Sequence, residues 1–241
     1  MAKDPKLPPK LPGASETSEV DAFLRKLAVT PAPSPGTSGN ARGRLIFALD
    51  ATASREPTWD RASHLQAEMF KETEALGGLE VQLIYYRGFG ECRASPWVAE
   101  SAQLLHFMTG VFCLAGRTQL GKVLKRAIQE TTEKKVSALV FVGDAMEEDI
   151  DHVGHMAGQL GLLGVPCFMF HEGNDPVSRQ AFQQIARLSG GAFCTFDSAS
   201  ARQLRELLSA VAVFAAGGRR ALADYSRRTG GLVRQLTHQV K

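Results

Sequence analysis

Leu45-Ile46-Phe47-Ala48-Leu49-Asp50-Ala51-Thr52-Ala53-Ser54 decides the fold of this chain. Its first half is a short unbroken apolar run, the pattern of a buried strand. The run then stops at a carboxylate, and two hydroxyls follow at alternate positions. This D-x-T-x-S turn therefore sets three oxygen-bearing side chains at a strand tip.

Outward from that strand, helix-like and strand-like segments alternate. Trp59, Ala62, Leu65, Met69, Thr73 and Leu76 form a helical apolar stripe that Gly77-Gly78 stops. Leu79 to Tyr86 reads as a strand, Phe89 to Ser95 as a short edge strand, and Ser95-Pro96 as the opening of a helix. Leu120, Val123, Leu124, Ala127 and Ile128 mark another helix, Ala138 to Val142 a strand, Ile150 to Leu163 a helix and Val165 to Phe170 a strand. Asp175-Pro176 caps a helix that ends at Gly190-Gly191. Ala192 to Phe196 is the last strand, and Leu204, Leu207, Leu208 and Val211 lie on the last helix. Such alternation predicts a doubly wound α/β fold: a mostly parallel sheet, helices on both faces and one short antiparallel edge strand. In these sheets ligands sit outside the carboxyl ends of the strands, where the strand order reverses. Asp50 and Asp144 both follow strands, so the topology brings them to one rim.

Composition divides the 241 residues into three parts. Residues 1–43 are rich in Pro, Ser, Gly, Thr and Lys and read as a flexible extension. Within it Val20, Phe23, Leu24 and Leu27 give an amphipathic helix near 19–27, expected either to pack back on its own domain or to dock a partner. Residues 44–215 form the α/β domain. Residues 216–241 form a basic extension carrying Arg219, Arg220, Arg227, Arg228, Arg234 and Lys241 against Asp224, so this tail holds the positive balance of a chain with net charge +3. A charge run is usually a solvated face; nucleic-acid or acidic-partner binding there is the sharper alternative. No signal-peptide pattern and no membrane-spanning stretch is visible. Cys92, Cys113, Cys167 and Cys194 are isolated singles, which fits a reduced, cytoplasmic protein.

Thr118, in Gly116-Arg117-Thr118 before a helix, and Asp144, in Val142-Gly143-Asp144 after a strand, add two more oxygen donors to the D-x-T-x-S turn. Together the three segments, in this order and at these element boundaries, resemble the metal-ion-dependent adhesion site (MIDAS) of von Willebrand factor A (VWA) domains, over roughly residues 44–215. The resemblance implies that Thr52, Ser54 and Thr118 coordinate a Mg²⁺ or Mn²⁺ ion directly and that Asp50 and Asp144 act largely through water. It implies that an Asp or Glu of a partner protein completes the shell, and that the protein is an adaptor or assembly factor, not an enzyme. Arg55 and Arg117 flank the site and could steer an acidic partner. The pattern departs from the family at Thr52, usually Ser, and at Ala145, often Gly, which restricts the turn after Asp144. The plainer alternative makes Thr52, Ser54, Thr118 and Asp144 helix caps in a module with a degenerate, metal-independent site.

Other chemistries fit less well. Gly116 to Val123 matches most of the G-x-x-x-x-G-K-S/T phosphate loop of an ATPase, but Val123 stands where the Mg²⁺-binding hydroxyl belongs. A phosphatase with Asp50 as nucleophile needs a second carboxylate two residues on, and Thr52 occupies that place. His152 and His155, near Asp149 and Asp151, have spacing that could hold zinc; pairing along a solvated helix explains them equally well. Glu147, Glu148 and Asp149 are expected to complement a helix dipole.

Overall fold

The computed structural model describes Ala22, Phe23, Arg25, Lys26, Val29, Thr30, residues 42–196 and residues 201–229. Its elements in chain order are β1 (Gly43–Asp50), α1 (Glu56–Thr73), β2 (Leu79–Arg87), β3 (Glu91–Ala94), α2 (Ser101–Thr109), α3 (Leu120–Glu133), β4 (Ala138–Gly143), α4 (Ile150–Leu162), β5 (Cys167–Glu172), α5 (Pro176–Leu188), β6 (Phe193–Phe196) and α6 (Ala201–Thr229). The strands form a six-stranded sheet in the order β3-β2-β1-β4-β5-β6, parallel throughout except for the antiparallel β2–β3 pair.

Alternation along β1 explains the layering. Leu45, Phe47 and Leu49 point into one core with Trp59, Ala62 and Met69 of α1, Leu104 of α2 and Leu207, Val211 and Phe214 of α6. Ile46 and Ala48 point into the opposite core with α3, α4 and α5, through Val123, Leu124, Val153, Leu160, Phe182 and Ile185. Both faces being covered, every β1 residue is buried, and strands of this kind read as continuous apolar runs.

Two boundaries differ from the sequence reading. The helix expected at Ser95-Pro96 begins at Ser101 instead. Ser95 and Val98 are held by β2: the Ser95 amide donates to the Leu83 carbonyl, and Val98 exchanges both backbone bonds with Val81 at 2.8 and 2.9 Å. The last helix runs past the boundary drawn at residue 215, to Thr229, and breaks at Gly218 (φ 66°, ψ −162°). Beyond that break Ala221 and Leu222 are buried in the core, so this part of the basic segment packs on the domain. Near the other end, Phe23 is buried edge-on against Phe168 and Phe170. Val20, Leu24, Leu27, Arg234 and Lys241 lie outside the described residues.

Cys167 and Cys194 are buried, Cys92 and Cys113 half-buried, and all four are free thiols. No described helix is long and apolar enough to cross a membrane.

Candidate functional site

The strand order reverses between β1 and β4, and there the sheet delivers Asp50 and Asp144 side by side. The Asp50 carboxylate turns the chain by accepting the Thr52 amide at 2.7 Å through Oδ1. The Thr52 and Ser54 hydroxyls lie 3.4 Å apart, and Ser54 Oγ donates to Asp144 Oδ2 at 2.9 Å. Thr118 joins from the loop before α3: its Oγ1 accepts the Glu147 amide at 2.9 Å, and its own amide points to the Glu147 carboxylate at 3.4 Å. The first four residues thus form one connected set, and Thr118 is tied to the loop that carries Asp144.

None of these hydroxyls is spent on a helix end. Thr52 makes no side-chain cap, Gln119 is the N-cap residue of α3, and Asp149 caps α4 by accepting the Asp151 and His152 amides. The turn after Asp144 needs no glycine, because no described non-glycine residue has positive φ.

Asp50 is 2 % exposed, and its Oδ2 has no hydrogen-bond donor. Burial raises its carboxyl above the usual carboxylate range; the Thr52 bonds oppose this and the Asp144 charge adds to it. The Tyr86 phenol, itself fully buried and held well above its ordinary value by burial and by Asp50, stands near enough to lower the Asp50 carboxyl in turn, as the last and smallest influence on it, but neither its hydroxyl nor Asp50 Oδ2 closes a hydrogen bond of normal geometry. A buried carboxylate oxygen without a donor is costly and draws a cation. Carboxylates and neutral hydroxyls suit a hard divalent ion such as Mg²⁺, so the donor set fits the ion.

Arg55 lies elsewhere than expected. Its side chain is 4 % exposed, with Nη1 3.4 Å from Asp144 Oδ2 and the other arm against Glu172, which also accepts the Thr58 hydroxyl. It is a buried internal cation, so it cannot steer a partner from the surface. Sequence reasoning missed Glu172 and Thr58 because nothing local marks them. It also missed His171, whose Nε2 meets the Asp144 carbonyl oxygen at 3.1 Å and whose ring burial holds below the ordinary histidine value.

The phosphate-loop alternative loses its chemistry here. Backbone amides that would cradle phosphate are already taken: the Glu148 carboxylate accepts those of Leu120 and Gly121, the latter at 2.8 Å. Gly121 allows that approach, since a Cβ would come 2.9 Å from Glu148 Oε2. Glu148 therefore satisfies the start of α3 across the fold, while Asp149 alone caps its own helix. Among the described residues no three His, Cys, Asp or Glu converge as metal ligands, and His155 pairs with Gln159.

No sequence-family profile matches the chain, and a search of curated proteins returns no relative. Solved structures do resemble it. The SpRpn10 VWA domain superposes with TM-score 0.54 at 12 % identity, over 70 % of this chain and 94 % of that one. A von Willebrand factor type A protein from Catenulispora acidiphila gives 0.59 at 15 %, over 70 % of this chain and 42 % of that one. An aerotolerance-related membrane protein from Bacteroides fragilis gives 0.54 at 15 %, over 69 % and 96 %. At these identities the likeness is one of fold: the chain has the VWA architecture.

Proposed function

We propose that the chain is a protein-interaction module that binds its partner through a divalent cation, Mg²⁺ or Mn²⁺, held by Asp50, Thr52, Ser54, Thr118 and Asp144. The observation that carries this reading is the buried Asp50 Oδ2 without a donor, set beside connected hydroxyls at the reversal of strand order. The ion would supply an electrophilic point for a partner's Asp or Glu, and the protein's own task is binding, not catalysis. The chain positions the donors, with Asp50 fixed by the Thr52 amide and Asp144 by Ser54 and Arg55.

One observation favours a second reading, a metal-independent module: Arg55 already brings a positive charge to Asp144. Titration with Mn²⁺, followed by electron paramagnetic resonance and by the melting midpoint, separates the two. On the metal reading the wild type binds one ion and melts higher with it, and Asp50→Ala loses both effects. Indifference of the wild type to Mn²⁺ and to EDTA would retire that reading in favour of the second.

A further inference from the structure

A second site lies on another face, between the edge strand β3 and the first two turns of α3. It is a cleft of about 230 Å³ lined by Arg93, Lys122, Lys125, Arg126 and Gln129 over a floor that includes Ile84 and Cys92. Four cations line it and no carboxylate does.

Charge order along α3 makes this unusual. A helix is stabilised by acids in its first turn and cations in its last. In α3 Lys122, Lys125 and Arg126 crowd the first half, while Glu130 and Glu133 come at the end. Positions 122, 125, 126 and 129 share one face by helical spacing, and that face is the wall of the cleft. Glu148 supplies from another loop the negative charge that the first turn of α3 lacks, and the cations of that helix concentrate positive potential over a partly apolar floor, where a concave surface focuses the field.

Two of the charges are compensated from outside the cleft: Arg93 pairs with Glu91 and Arg126 with Glu130. Lys122 donates to neutral acceptors, the Gly90 carbonyl and the Gln119 side chain, both at 2.8 Å. Neither Lys122 nor Lys125 has a carboxylate partner among the described residues. Glu148 lies beyond the helix start with its oxygens tied to the Leu120 and Gly121 amides.

We propose that this cleft binds a phosphoryl dianion, as inorganic phosphate or as a phosphate monoester carried by a protein partner. Two uncompensated lysines match a dianion. The volume is smaller than the roughly 300 Å³ at which pockets for drug-sized ligands begin, so it suits one phosphoryl group better than a nucleotide. The site is independent of the metal reading and is tested without metal.

The experiment is an amide-resolved NMR titration of the full chain in EDTA, with sodium phosphate replacing sodium chloride at constant ionic strength. Expected are saturating shifts centred on residues 91–94 and 120–129, with affinity at least about tenfold weaker in Lys122→Gln/Lys125→Gln, as loss of two close charges predicts. Both lysines are exposed, so the variant keeps its fold; an unchanged spectrum before titration verifies that. Tighter binding of a phosphoserine peptide than of phosphate, with none by its unphosphorylated twin, identifies the source as a modified protein. Equal affinities identify the free anion. Non-saturating shifts, shifts centred on the basic C-terminal segment, or unchanged affinity in the double variant would overturn the proposal.

Discussion

A guanidinium buried beside a candidate metal ligand changes what the loss of one side chain does. Arg55 is shared between Asp144 and Glu172, so Arg55→Ala strands two acids in a partly buried place. Breaking a buried pair in this way costs about 3–5 kcal/mol. Urea denaturation of Arg55→Ala should show a loss in that range, and a loss under about 1 kcal/mol would mean that water already screens the pair. The contrast with Asp50 shows which residues a sequence discloses. Asp50, Thr52 and Ser54 are legible because a strand ends there and hydroxyls recur at alternate positions. Arginine is ordinarily a surface residue, and it takes Asp144 and Glu172, at the ends of two strands distant in sequence, to turn Arg55 inward.

At the scale of elements, the strands were legible from their apolar runs, and most helices from their caps and glycine stops. The start of α2 was not. Ser95-Pro96 has the composition of a helix start, but β2 offers Ser95 and Val98 strand partners, and tertiary pairing outweighs local preference. The Glu148 cap on α3 was equally hidden, because it reaches from another loop. Asp175 of α5 is the opposite case, a local cap read correctly. Its carboxyl accepts the Ser178 amide at 2.7 Å, and the Ser178 hydroxyl and amide hold it below the usual aspartate range. A depressed folded value means stability that is present above the unfolded value, about 3.9, and lost as pH falls through the folded one. Asp175→Ala should therefore melt below wild type at neutral pH, and the gap should close as the solution is acidified below that range. A gap independent of pH would exclude the charged cap as its cause.

Across the whole molecule, the sheet carries a core on each face, and the chain reaches back to one of them with Phe23. A phenylalanine buried against Phe168 and Phe170 should cost about 3–5 kcal/mol when cut to alanine. Phe23→Ala, followed by urea denaturation, would show a loss under about 1 kcal/mol if the chain around Phe23 were only loosely attached. The candidate metal site, by contrast, lies at the rim of the sheet, with Asp50 closing β1 and the other donors in the turns around it. An unchanged circular-dichroism spectrum of Asp50→Ala would make that variant a clean probe of binding. Arg219, just beyond the Gly218 break, donates to the carbonyls of Val29 and Thr30, while Gly43 begins β1 with its amide on the Gly78 carbonyl. The chain around Thr30 and the segment past the Gly218 break are therefore fastened to each other by charge-assisted hydrogen bonds. Arg219→Ala should lower the melting midpoint by a few degrees, and an unchanged midpoint would show that the two segments hold to the domain independently. As a clasp between an early and a late stretch of sequence, the pair makes the two stretches come loose together or not at all.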